Sequence, residues 1–289
     1  MNRLRFFAPL ALCALLAAPV FAQDRDATLP RVSPNASAGF TIGVTDISVQ
    51  YGAPSVRERT IFGDLVPYDE VWRTGANEAT AITFSTDVFV EGQALDAGTY
   101  GLFTVPGQTS WTIIFNEAPE QWGAYQYDEA KDVLRVQVTP QQASERETMA
   151  FSFDNLALAA DRDAVDLVLH WADVRVPVTI ATETDRHVEH FGDAAAAQDD
   201  WRRPFAYARY ALQTGRHMDK ALEWADAALL REESYQTLAM HARLQAAGGD
   251  HAGAVETGEM ALSMAAAMTQ PPRDLDAFQS ELASWRAHD

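Results

Sequence analysis

In segment after segment between Ile47 and Ile180 the apolar residues of this chain recur at every second position. Beyond Thr184 they recur at every third or fourth. Alternation puts one side chain in two on the same face of an extended strand, whereas the longer period makes a stripe along a helix. A chain with that switch folds as a sheet region followed by a helical region. The expected class is α+β: an N-terminal antiparallel β-sandwich-like domain, then a C-terminal α-helical domain of tetratricopeptide-like hairpins.

The strand reading rests on particular runs. Ile47–Tyr51 alternates, and Ile82 shares a face with Phe84. Tyr100, Leu102 and Thr104 lie opposite Phe103 and Val105, and Trp111, Ile113 and Phe115 keep the same period. Met149, Phe151 and Phe153 repeat it, as do Val165, Leu167, Leu169 and Trp171, and then Val174, Val176, Val178 and Ile180. Turns are expected at Glu91-Gly92, Ala97-Gly98, Pro106-Gly107 and Ala172-Asp173. Short strands at this spacing without intervening helices predict an antiparallel sandwich over residues 32–184. Two long irregular stretches interrupt it, Gly52–Asn77 and Asn116–Lys131. Loops of that length in a β domain are expected to carry function.

In the helical part, 185–289, Asp200 is expected to cap a helix with Trp201, Phe205, Ala208 and Leu212 on one face. Ser234 is placed to cap another that Gly248 ends, and Leu275, Phe278, Leu282 and Trp285 mark a terminal amphipathic helix. Ala221–Leu229 and Ala254–Leu262 match in Ala, Glu, Ala and Leu at an offset of 33, each preceded by a glycine. That resembles a degenerate tetratricopeptide repeat. Two helix pairs and a last helix fall short of the roughly three repeats that usually stand alone, so their remaining apolar surface should dock on the β domain or a partner.

The first 22 residues have the form of an export signal: Arg3 and Arg5, an apolar Phe6–Val20, then Val20-Phe21-Ala22, with cleavage expected after Ala22. Residues 23–31 read as a polar linker. The expected location is periplasmic or secreted, with no membrane span in the mature chain. Cys13, the only cysteine, lies inside the signal, so core burial rather than disulfides must hold the mature fold together. The mature chain would carry 20 basic against 41 acidic residues, a net charge of −21. Such a surface repels nucleic acid and anionic lipid.

With the strands placed, the segment from Ser33 through YDEVWRTGANEAT (Tyr68–Thr80) to Ser85 resembles the start of the bacterial domain-of-unknown-function family 2911. The likeness continues through DAGTYGLFTVPGQTSWTIIFN and QWGAYQYDEAKDVLRVQV and closes at LHWADVRVPVTI, covering roughly Arg31–Thr184. The resemblance implies an exported bacterial β-rich domain, often followed by helices. It implies no catalytic residues, because the family has none assigned.

Seven residues of the two loops form the candidate site: Arg57, Trp72, Arg73, Asn77, Trp122, Tyr125 and Tyr127. Aromatic faces suit sugar rings, and Arg and Asn donate to hydroxyls or a carboxylate. The competing account makes Trp72 and Trp122 plugs of the sandwich ends and gives Arg73 to loop carbonyls, Asp69 or Glu70. Asp64, Asp69, Glu70 and Glu78 contain pairs of the type glycoside hydrolysis needs, but spacing does not show two facing each other. His187-x-x-His190 with Glu189 lacks a third metal ligand, and Asp161, Asp163 and Asp166 lack the pattern of a calcium loop. No nucleophile elbow or glycine-rich phosphate loop is present, so no cofactor or metal is expected.

The favoured expectation is a non-catalytic cell-envelope module binding a glycan or peptide-like ligand at loops 52–77 and 116–131. A carboxylate- or metal-dependent hydrolase using the same loops is the alternative. A scaffold recruiting a partner protein through its helices is the second.

Overall fold

The computed structural model describes residues 30–159 and 162–288. The expected export signal, most of the linker and Asp161 lie outside the described residues. The fold is α+β: two antiparallel sheets followed by helices.

The first sheet has the order β1 (Asn35–Ile42), β2 (Thr45–Gly52), β3 (Thr80–Phe84), β6 (Gly98–Val105), β7 (Trp111–Asn116) and β8 (Asp132–Val138). The second has β5 (Gln93–Leu95), β4 (Val88–Val90), β10 (Asp163–Thr182) and β9 (Gln141–Ala157). The alternating residues of both sheets converge on one core, in which Val49, Ile82, Leu102, Ile113 and Phe115 meet Met149, Leu167, Leu169, Val176 and Ile180. Each such side chain removes enough apolar area from water to contribute about 1.5–3 kcal/mol. A void between the sheets, lined by Leu102, Ile113, Phe151 and Val178 among others, has a volume of about 10 Å³. It admits at most one water.

One expected turn is corrected. Ala172-Asp173 lies inside a single strand, β10, with register shifts between His170 and Ala172 and between Ala172 and Val174. Ala172 has φ 51°, and the inward residues change from odd numbers (165 to 171) to even (174 to 180). A strand keeps one parity on its buried face, so an extra residue is needed where the parity changes. The pattern that resembled a turn is a bulge. Glu91-Gly92, by contrast, does join β4 to β5, with φ 48° and 79° as a tight hairpin requires.

The helices are α1 (Thr184–Ala196), α2 (Arg202–Thr214), α3 (Met218–Arg231), α4 (Tyr235–Ala247), α5 (His251–Ala266) and α6 (Leu275–Arg286). Asp200 Oδ1 accepts from the Arg202 amide at 3.1 Å, but the cap position of α2 falls on Trp201, one residue later than expected, whereas Ser234 and Thr237 form a reciprocal capping box at the start of α4. The two segments matching at an offset of 33 fall in α3 and α5, the second helices of the hairpins α2/α3 and α4/α5. Sheets and helices belong to one unit, 33–289. Val44, in the β1–β2 turn, packs on a cluster of Val188, Ala208, Ala211 and Trp224, so part of the helical apolar surface does dock on the β region. A buried hydroxyl chain, Thr86–Thr45–Thr182 at 2.6 and 2.9 Å, ties that turn to the end of β10.

Candidate functional site

The two long loops meet. Glu78 pairs with Trp122 in an isolated bridge, the Ala79 amide donates to the Gln121 carbonyl at 2.9 Å, and the Gly123 amide to the Asn77 carbonyl at 3.0 Å. They meet over the outer face of the first sheet. There Phe103 and Ile114, which alternate away from the sandwich core, are sealed under Val71, Ala124 and Tyr127. This small second core explains why β6 and β7 are apolar on both faces.

Trp72 exchanges both backbone hydrogen bonds with Thr104, at 2.7 and 2.9 Å, and so acts as a short extra strand beside β6. Paired residues share a face, which sends Trp72 into the sandwich with Thr104 and its neighbours Val71 and Arg73 outward. The structure therefore corrects the expectation for Trp72. Its ring is stacked on Trp171 at 5.8 Å and edge-on to Phe62, and its Nε1 donates to the Gly75 carbonyl at 3.1 Å. It is a core residue with no face for a ligand. Glycines permit this fold-back: a Cβ at Gly52 would lie 2.1 Å from the Ala76 carbonyl oxygen.

Asn77 is likewise drawn into scaffolding, and the backbone of Arg57 braces its loop. The Arg57 amide donates to Glu147 Oε1 at 3.1 Å, pinning that end of the first loop to β9 in the other sheet. Asn77 has φ 65°, a conformation that asparagine tolerates, and its Nδ2 donates to the Ser33 carbonyl at 3.0 Å. Tyr127 lies 5.1 Å from Phe103 and donates to Asp132 Oδ2 at 2.5 Å. Burial and then that hydrogen bond push its hydroxyl far up from the usual tyrosine range. Asp132, which also accepts from Asn116, went unrecognised in the sequence because an acid at a strand start has no signature.

Arg73, Trp122 and Tyr125 are the candidates that the scaffold does not absorb and that come from the region where the loops meet. Trp122 is 58% exposed and Tyr125 88%, unusual for rings of that size. Gly123, between them, has φ 68°, and a Cβ there would strike the Tyr125 ring, so a glycine is needed for Tyr125 to fold back over the loop. Arg73 is half-buried. Its Nε is enclosed and has no hydrogen-bond partner, and no carboxylate pairs with the guanidinium among the described residues. Burial pulls its ionisation below the ordinary arginine range, opposed by the nearby Tyr125 hydroxyl. The account in which Arg73 satisfies loop carbonyls, Asp69 or Glu70 does not hold. Of the seven candidate residues, Arg73 and Tyr125 lie near each other, and Trp122 is exposed on the same loop as Tyr125.

Asp64, Asp69 and Glu70 are exposed on the first loop. No group of three His, Cys, Asp or Glu is placed to hold a metal ion among the described residues. His187 Nε2 is instead 3.1 Å from the Asp87 carbonyl, and His170 Nε2 is 2.9 Å from that of Ser144.

The model of the protein family of unknown function DUF2911 matches residues 33–180. The chain belongs to this family. The match takes in both sheets and both long loops and stops before α1, so the helices lie outside it. No curated protein and no solved structure matches the chain.

Proposed function

We propose that the protein is an exported, non-catalytic binding module of the bacterial cell envelope, which takes a carboxylate-bearing glycan or peptide-like ligand on the Arg73–Trp122–Tyr125 patch. One observation carries this reading: a half-buried guanidinium whose enclosed Nε has no partner, near the exposed Tyr125 on a loop that also exposes Trp122. Proteins pair buried cations or leave them in water, and an unpaired one at a surface is completed by an incoming anion. The flanking rings offer the flat apolar faces that sugar rings or peptide side chains cover.

The helical hairpins α2/α3 and α4/α5 are read as two degenerate tetratricopeptide-like units that fix the β module to its surroundings. The acidic surface keeps the module off nucleic acid and anionic lipid.

The test is calorimetric titration with disaccharide–peptide envelope fragments bearing free carboxylates, against the same fragments with those groups amidated. The acid forms should bind and the amidated forms should not, and Arg73→Met or Trp122→Ala should abolish the heat while leaving melting unchanged. Absence of binding, or equal binding by both variants, overturns the proposal.

A further inference from the structure

We propose that a second site, independent of the loop patch, lies between the β1–β2 turn and helices α1 and α2 and takes a small single-ring molecule bearing one hydrogen-bond acceptor. The site is a cavity of 210 Å³ lined by Gly43, Val44, Thr184, Val188, Ala206, Tyr207 and Tyr210. An enclosed apolar cavity of about 150 Å³ is enough to admit benzene, so this one has room for a ring and a small substituent.

Its chemistry is mostly apolar with a small convergent polar component. Val44 and Val188 supply aliphatic surface, and Tyr207 and Tyr210 sit one helical turn apart on the same side of α2. Their rings are held from behind, Tyr207 edge-on to Trp224 at 5.7 Å and Tyr210 at 6.5 Å from His217. Their hydroxyls have no hydrogen bond among the described residues, although both tyrosines are half-buried. Of the other tyrosines, Tyr51, Tyr100, Tyr127 and Tyr235 bond Phe151, Asp96, Asp132 and Asp274 respectively, whereas the half-buried Tyr68 and the exposed Tyr125 also leave their hydroxyls without a hydrogen bond among the described residues. Neither hydroxyl is among the buried polar atoms that lack a partner, so both reach water and are free to donate to an acceptor that enters the cavity. Burial pushes the Tyr207 hydroxyl up, with Arg203 pulling the other way, so it stays protonated and able to donate. Thr184 is already engaged, its hydroxyl donating to Asp163 Oδ2 at 2.5 Å, and so contributes shape rather than a free donor.

The occupant is therefore a neutral or anionic monocyclic compound such as a phenol or an aromatic carboxylate. The experiment is ligand-observed NMR and calorimetry on the purified protein with toluene, phenol and benzoate. Phenol or benzoate should bind saturably at one site. The double variant Tyr207→Phe/Tyr210→Phe, which keeps the cavity's volume, should weaken that binding about tenfold, the loss expected for an unmade hydrogen bond. Ala206→Phe, at an exposed helix position, should fill the cavity and remove binding with melting unchanged. Arg73→Met should leave all of this intact, which separates the two sites. Failure of all three probes to bind the wild type, or wild-type affinity in both cavity variants, overturns the proposal.

Discussion

Arg243 in the helical region and Arg73 on the loop face are both half-buried, and the molecule treats them oppositely. Arg243 donates to Glu281 at 2.7 Å and to Asp274 at 2.9 Å, and it lies over the Phe278 ring. Burial alone would lower its ionisation, but those carboxylates outweigh it and hold it above the ordinary range. Arg73 has burial without the carboxylates and is held below. A structural arginine arrives with its partners in the same chain. One left without them, near the exposed Tyr125, is the mark of a surface that expects something else. The two tryptophans of the loops repeat the contrast, Trp72 at 8% exposure inside an aromatic cluster and Trp122 at 58% outside it.

The largest effect that would break this comparison is on stability. Trp72→Ala should cost about 3–5 kcal/mol in denaturant unfolding, the usual loss for a large buried aromatic. Trp122→Ala should change it by no more than about 0.5 kcal/mol. Similar losses from both would mean that Trp122 is structural after all.

Next comes the pair of arginines. Arg243→Met should destabilise by about 1–2 kcal/mol, since two carboxylates lose a charged donor. Arg73→Met should leave melting unchanged or raise it, because it removes an uncompensated desolvated cation, while carboxylate-ligand affinity falls at least about tenfold. Gly123→Ala sharpens the point without touching a charge. It should cost about 1 kcal/mol for the positive φ and displace Tyr125, so that binding weakens while Arg73 stays in place.

The smallest effect is in pH. Burial raises the ionisation of Asp274, but hydrogen bonds from Arg243 and Tyr235 outweigh it and hold it below the usual carboxylate range. A depressed carboxylate contributes stability that is present above its unfolded value and lost as pH falls through the folded one. The melting temperature should thus decline below about pH 4, and Asp274→Asn should flatten that decline. Arg73→Met should leave its slope unchanged.

Much of the scaffold was legible because alternation is a local property. Ile82 and Phe84, or Leu167 and Leu169, announce their inward face wherever the strand goes. Ser234 and Gly248 likewise mark the ends of α4, because caps act within a turn of the chain. Ala172 was misread for a reason: a turn and a bulge both ask for an interruption, and only the partner strand decides which. The site was legible as two loops and not as a set of side chains. Trp72, Arg73 and Asn77 lie within six residues of one another, yet one enters the core, one faces out and one braces the chain.

What the sequence determined by itself was the class, the order of its two regions and the family, because these follow from periodicity and long local motifs. Which tryptophan is buried, which arginine lacks a partner and where two tyrosines leave a cavity open was decided only when distant segments packed. Those outcomes depend on Thr104 receiving Trp72, Asn77 receiving Gly123, and the β1–β2 turn reaching the helices. A residue's type sets what it is able to do, and its neighbours in space set whether that capacity is already spent.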